Sequence, residues 1–89
     1  MATGTFTINF GSGSIDTSVI VAEATIAAAT KIEAWLFPIV TSTNFEDNYW
    51  LDDIQVIAGW RNVGVGFTVK GKCRFGKAHG SYVGFYATI

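Results

Sequence analysis

A short stretch near the middle of the chain, residues 44–53, has the sequence NFEDNYWLDD and gathers acidic and aromatic side chains. It holds four of the seven carboxylates of the chain, at Glu46, Asp47, Asp52 and Asp53. Carboxylate oxygens are ligands for calcium, flat aromatic rings stack on sugars, and exposed rings anchor protein interfaces. The segment therefore predicts a metal site, a sugar platform or a docking surface.

A calcium site would draw its oxygen ligands from Asp47, Asp52 and Asp53. The twelve-residue spacing of an EF-hand is absent, however, and neighbouring carboxylates on an extended segment point to opposite sides. We therefore predict no metal ligands and no cofactor, with a structural calcium ion as the alternative.

Sugar binding needs a flat ring for the apolar sugar face and short polar side chains for the hydroxyl groups. The segment supplies both kinds of group, and its candidate ligand-binding residues are Asn44, Asp47, Asn48, Tyr49 and Trp50. In the competing interpretation, which we favour for Trp50, the side chains of Trp50 and Leu51 plug the end of a β-sandwich or a subunit interface.

Nucleophilic catalysis is not predicted for this chain. His79 is the only histidine, and although Ser81 follows closely, no nucleophile elbow or spaced triad is present. Cys73 is the only cysteine, which excludes an internal disulfide. Its place on an inward face of a predicted strand favours a small core side chain over a reactive thiol. We predict that the chain is not an enzyme.

The composition is apolar for a chain of 89 residues, since 49% are hydrophobic and only 15% are charged. A domain of this length buries only about two-thirds of its unfolded surface, so we expect part of the apolar surface to contact another chain. The net charge of −1 provides no general attraction to nucleic acid. No segment reaches the ~18 apolar residues that a membrane span needs.

Charged residues are unevenly distributed along the chain. The acids cluster in residues 44–53, whereas most basic residues lie in the second half, at Arg61, Lys70, Lys72, Arg74 and Lys77. One interpretation is scattered, solvated charge. The other is a pair of complementary patches on neighbouring subunits.

The elements that must carry these side chains are strands. Alternating or β-branched runs predict six of them, over residues 5–10, 18–21, 31–37, 54–60, 66–73 and 81–89. The alanine-rich residues 23–30 could form a helical turn, but no helix is predicted between the strands, and residues 44–53 are predicted to form a long loop. The expected fold is all-β, a six-stranded antiparallel β-sandwich formed by one domain over residues 1–89.

Two strands carry the expected interface. Alternation places Trp35 and Phe37 on the face of their strand opposite Ile32, Ala34 and Leu36. In the last strand the predicted inner face is Val83, Phe85, Ala87 and Ile89, and the predicted outer face is Tyr82, Tyr86 and Thr88. The aromatic anchors expected in a subunit interface are therefore Trp35, Phe37, Tyr82 and Tyr86.

Three runs, residues 54–58 (IQVIA), 64–69 (GVGFTV) and 80–86 (GSYVGFY), together with residues 30–34 and the acidic loop, resemble small phage tail-fibre and virion modules. These modules are similar to H-type lectins. The resemblance covers about residues 15–89, after an N-terminal strand and Gly/Ser turn over residues 1–14. It implies a six-stranded antiparallel sandwich, assembled as a trimer, with ligand sites near subunit boundaries.

A histidine that follows a tryptophan contacts sugar in animal H-type lectins. Here Trp60 is followed by Arg61, and no binding residue is carried over. The resemblance thus predicts a phage structural protein of the tail-fibre, decoration or collar type, made in the host cytoplasm and located in the virion. Its expected partners are its own copies in a homotrimer and other virion proteins, and it presents a host-receptor-binding surface. The alternative is a carbohydrate-binding lectin module for a cell-surface glycan.

Overall fold

The computed structural model describes residues 1–89 and contains six strands and one short helix. Every strand pairing is antiparallel. The prediction of an all-β fold with six strands is confirmed. The elements in chain order are β1 (Thr3–Asn9), β2 (Asp16–Ala22), β3 (Ile32–Leu36), α1 (Glu46–Leu51), β4 (Ile54–Asn62), β5 (Gly66–Cys73) and β6 (Ser81–Thr88).

The strands form two three-stranded sheets with the orders β1-β6-β3 and β2-β5-β4. We call them the first and the second sheet. Strand β1 packs against β2, and β3 packs against β4, so both sheets contribute to one core. The central strands, β6 and β5, are flanked on both sides and carry most of the fully buried side chains.

The inner faces of β1 and β5 match the sequence pattern. Both strands alternate between apolar and polar residues, and burial of the apolar face fixes which side of such a strand faces the core. The alternate apolar side chains are all buried, namely Phe6 and Ile8 of β1, Phe10 directly after it, and Phe67, Val69 and Cys73 of β5. Lys70 and Lys72 point outward.

The predicted faces of β6 are wrong. Tyr82 is 0% exposed, and Tyr86 and Thr88 are also buried, whereas Val83 and Phe85 lie half-buried on the outer face of the first sheet. Each tyrosine ring fills the core while its hydroxyl donates a hydrogen bond to a carboxylate at the sheet edge. Tyr82 donates to Asp52 and Tyr86 donates to Glu23. A buried tyrosine is stable in such a position because its hydroxyl is satisfied.

Gly84 lies on the inner face of β6 between the two tyrosines and makes room for β1. A Cβ atom at this position would clash with the Phe6 ring and would lie 2.7 Å from the Trp35 carbonyl oxygen. The inner face of β6 therefore carries Tyr82, Gly84 and Tyr86. Alternation of apolar residues along the sequence does not identify such a face as the buried one.

Residues 46–51 form a helix, α1, where a loop was predicted. The side-chain Oδ1 of Asn48 accepts a 2.8 Å hydrogen bond from the backbone N–H of Phe45, which satisfies a donor at the start of the helix. Glu46 and Asp47 lie in the first turn, where negative charge is favourable. A helix this short is stable only through tertiary contacts, and Tyr49 makes them.

Residues 23–30 form turns and no helix. Their one buried apolar side chain, Ile26, packs into the core. The side chain of Thr25 donates a 2.7 Å hydrogen bond to the Glu23 carboxylate, which fixes the first turn. No helix in the structure is long and apolar enough to cross a membrane.

Candidate functional site

The predicted ligand-binding residues do not form one site, because two of them are buried. Asn44 is 2% exposed, and its Nδ2 donates to the carbonyl oxygens of His79 (2.9 Å) and Ser81 (3.1 Å). Tyr49 is also buried, and its hydroxyl donates to the carbonyl oxygen of Ile39 at 2.9 Å. Both side chains hold the loop against the sandwich, so neither is accessible to a sugar.

The remaining candidates lie on α1 or beside it. Asn48 is half-buried and caps the helix, while Asp47 and Trp50 are exposed. Trp50 is 84% exposed and Leu51 is also exposed, so within this chain the prediction that they plug the end of the sandwich is wrong. Tyr49 packs against the sandwich in their stead. Successive helical residues point about 100° apart, so Tyr49 and Trp50 cannot both face the core.

The other acids of the segment are held apart from one another. Asp52 accepts the Tyr82 hydroxyl through its carboxylate and the Cys73 thiol through its carbonyl oxygen, at 3.1 Å for the thiol. Asp53 pairs with Arg74 at 3.5 Å on the surface. The structure contains no group of three or more His, Cys, Asp or Glu side chains that could hold a metal ion. The buried Cys73 is the core side chain that the sequence predicted.

Two hydroxyl–carboxylate pairs have shifted ionisation. Burial, followed by the hydrogen bond to Asp52, raises the pKa of Tyr82 far above its ordinary value. The hydrogen bond between Tyr86 and Glu23 raises the pKa of Tyr86 and lowers the pKa of Glu23. Both phenols therefore stay protonated at neutral pH, where they act as hydrogen-bond donors that hold the fold.

An exposed cluster of three aromatic rings lies on the outer face of the first sheet; we call it the aromatic face. Trp35 and Phe85 are cross-strand partners, and their rings stack with centroids 6.4 Å apart and planes 21° apart. Phe37 meets Phe85 edge to face at 5.6 Å. Trp35 is 45% exposed and Phe37 is 52% exposed. Such a flat surface of aromatic rings is well suited to burial against another protein.

A second exposed apolar group surrounds α1; we call it the helix tip. Its apolar members are Phe45, Trp50 and Leu51, and its acidic members are Glu46 and Asp47. The side chains of the helix tip point toward solvent, and Tyr49 is the only buried residue of the helix.

A groove of about 830 Å³ runs over the outer face of the second sheet; we call it the lysine groove. Lys70 and Lys72 of the central strand stand beside their cross-strand neighbours on β2 and β4. The Nζ atom of Lys70 lies 4.0 Å from the centroid of the Trp60 ring. The groove is lined by Asp16, Thr17, Ser18, Gln55, Val56, Ile57, Lys70, Gly71 and Lys72.

A β-bulge lies in β4 between Gly59 and Asn62, beyond the groove-lining residues of that strand. Trp60 lies in the bulge with a φ of 52°, a conformation that bulky residues rarely adopt. The bulge turns the Trp60 ring outward beneath Lys70. The lysine groove itself was not predicted from the sequence, because it depends on the register of three strands. The sequence indicated only a cluster of basic residues in the second half of the chain, which includes Lys70 and Lys72.

Comparisons with protein-family models, curated proteins and solved structures found no match to this chain. The function is therefore inferred from the exposed surfaces of the chain itself.

Proposed function

We propose that this chain is a structural module that assembles with copies of itself through the aromatic face. The observation that supports the proposal most directly is the exposure of Trp35 and Phe37 around Phe85 on the flat outer side of a sheet. Contiguous exposed apolar patches are typical of interaction sites. Tyr82 and Tyr86, which were expected in the interface, are excluded from it because they lie in the core.

We further propose a homotrimer with an H-type-lectin-like fold, built into a phage virion as a tail-fibre, decoration or collar protein. The two three-stranded antiparallel sheets are compatible with that fold. A closed trimer needs two different complementary surfaces on each subunit, and this chain carries several exposed surfaces of different chemistry. The virion assignment is supported by the sequence resemblance over residues 54–58, 64–69 and 80–86.

The assembly proposal predicts a difference between two substitutions. Trp35→Ala removes an exposed aromatic anchor and should weaken association by about thirtyfold or more, since such anchors contribute about 2 kcal/mol or more. Asp47→Ala removes one exposed charge from the same chain and should weaken association much less than Trp35→Ala does. Sedimentation equilibrium measures both dissociation constants, and equal behaviour of the two variants would contradict the role of the aromatic face.

The virion assignment has its own test. Mass spectrometry of purified virus particles from a culture that produces this protein should detect the chain at a copy number divisible by three. Particles that lack the chain, while the free protein accumulates in the cells, would refute the assignment.

A carbohydrate-binding module is the second candidate function, and the exposure of Trp50 beside Asp47 supports it. A glycan array separates the two candidates. Saturable binding that Trp50→Ala abolishes would favour the lectin, whereas no glycan binding by a protein that still self-associates would favour the structural role. Asn44→Ala is not a suitable probe, because Asn44 is a buried structural residue.

A further inference from the structure

The lysine groove presents positive charge that the chain does not neutralise. The only ion pair in the structure joins Arg74 and Asp53, so neither Lys70 nor Lys72 has a carboxylate within pairing distance. Lys70 contacts the Trp60 ring, and Lys72 shares a smaller depression with Gln55 and Arg74. Beside these cations the groove offers the exposed apolar side chain of Ile57, whereas the side chain of Val56 turns to the core and only its backbone borders the groove. Its chemistry fits a ligand that is both acidic and apolar.

The helix tip has the opposite charge and the same apolar character. Glu46 and Asp47 are exposed and take part in no ion pair. Phe45, Trp50 and Leu51 are exposed beside them. An exposed tryptophan flanked by acids costs solubility in a free monomer, and it suits a position that becomes buried on association.

We propose that the lysine groove receives the helix tip of a second copy of this chain. The acids of the helix tip would face Lys70 and Lys72, and its exposed rings would cover the apolar floor of the groove. This inference rests on the proposed self-assembly, but it assigns a contact that is separate from the aromatic face. It also makes use of two different surfaces on each subunit, as a closed ring requires.

The helix tip cannot reach the groove of its own chain without leaving its present position. The Tyr49 hydroxyl accepts a 2.8 Å hydrogen bond from the Val83 backbone N–H and donates to Ile39, which holds α1 against the first sheet. The groove lies on the outer face of the second sheet. We therefore place the contact between two chains.

Two features favour a second copy over a free polyanion such as nucleic acid or an acidic glycan. With the Asp16 carboxylate beside Lys72, the groove has only a small net positive charge, which suits a ligand with few acids better than a chain of phosphates or sulfates. The net charge of the protein is −1, so it gives no long-range attraction to such ligands. The helix tip, in contrast, places a few acids next to apolar rings.

The test is a charge exchange between the two surfaces. One variant carries Lys70→Glu and Lys72→Glu, and the other carries Glu46→Lys and Asp47→Lys. Each variant alone should associate at least about tenfold more weakly than the parent, because like charges then face each other. An equimolar mixture of the two should recover mixed assemblies in part, since opposite charges meet at two of the three groove–tip contacts of a mixed three-subunit ring. Lys77→Glu, an exposed lysine outside the groove, is the matched control and should leave association unchanged.

Sedimentation equilibrium of the parent, each variant and the mixture supplies the readout, with circular dichroism to show that the variants are folded. Parent-like association of both variants, or a mixture no stronger than its parts, would overturn the inference. If Trp35→Ala dissociates the assembly in that case, the proposed function stands while the groove contact fails. Binding of heparin or single-stranded DNA that the Lys70→Glu, Lys72→Glu variant loses, with self-association unchanged, would assign the groove to a free polyanion and also overturn it.

Discussion

Each buried tyrosine of β6 ends in a hydrogen bond to a carboxylate, from Tyr82 to Asp52 and from Tyr86 to Glu23. These two pairs connect β6 to the loops that lead into and out of the second sheet. Asp52 follows α1, and Glu23 follows β2. The pairs thus combine the burial of a large ring with the satisfaction of its polar atom, and an unsatisfied buried hydroxyl would cost about 1–3 kcal/mol.

The raised pKa of Tyr82 predicts a loss of stability in alkali. Above pH ~10 the unfolded chain releases this phenolic proton while the folded chain retains it, so the free energy of unfolding falls as the pH rises. Below pH ~10 both states hold the proton, and the stabilisation is fully present. Urea unfolding from pH 8 to pH 11 should show a steeper decline for the parent than for Tyr82→Phe. Parallel pH profiles would contradict this account of the buried phenol.

Asn44 holds the loop before α1 to the loop before β6 by donating to two backbone carbonyl groups. Asn44→Ala should lower the free energy of unfolding by about 2 kcal/mol, because the His79 carbonyl oxygen loses its side-chain donor and the Ser81 carbonyl oxygen keeps only that of Thr41. The neighbouring exposed substitution Asp47→Ala should stay within about 0.5 kcal/mol of the parent. Urea denaturation of the two variants provides the comparison, and a similar small loss for both would mean that Asn44 is not a structural clamp.

Strand β6 has no side chain at Gly84 on its inner face. The ring of Phe6, the cross-strand partner of Gly84 on β1, occupies the space that a side chain at this position would need. Gly84 therefore makes room in the core for the Phe6 ring.

Gly84→Ala should destabilise the protein by about 1–3 kcal/mol, because the added methyl group meets the Phe6 ring and the Trp35 backbone. Gly59→Ala is the matched control, since a Cβ atom there meets nothing within 4 Å and the backbone angle is ordinary. Thermal unfolding should show a clearly lower midpoint for the first variant only. An equal shift in both would indicate that the loss comes from strand propensity and not from overpacking.

The extent to which sequence predicts these elements depends on how unambiguous the local pattern is. Strands β1 and β5 alternate between apolar and polar residues, so both were predicted and their alternate apolar side chains are buried; the bounds of β5 agree, whereas β1 was predicted over residues 5–10 and lies at Thr3–Asn9. Strand β6 has rings and apolar residues on both faces, and the alternation alone could not show that hydroxyl partners and Gly84 place the tyrosines inside. Helix α1 spans less than two turns, which is too short for a helical period to be visible.

The candidate site was only partly predictable for the same reason. The exposed aromatic side of β3 followed from alternation around Trp35, and the structure places it on the surface. Residues 44–53 were predicted to form one long loop, so the separation of buried Asn44 and Tyr49 from exposed Trp50 was missed. The lysine groove depends on three strands whose register is set by tertiary packing, which no local pattern contains.

Exposed apolar side chains lie on several sides of the molecule, and three parts of the surface carry those discussed above. The aromatic face lies on the first sheet, the helix tip at the end of the sandwich, and Ile20 and Ile57 on the outer face of the second sheet. A chain of this size has a thin core, and a protein that leaves large rings in water on several sides gains stability by burying them in an assembly. Several distinct surfaces on one small subunit are suited to a closed ring or to a larger particle.

The most direct test is the mass of the intact chain in solution, measured by sedimentation equilibrium over a wide range of concentration. The account predicts a species of about three times the 9.6 kDa chain mass, which dissociates when Trp35 is replaced by alanine. A single species of 9.6 kDa at every concentration, with no tendency to associate, would contradict it.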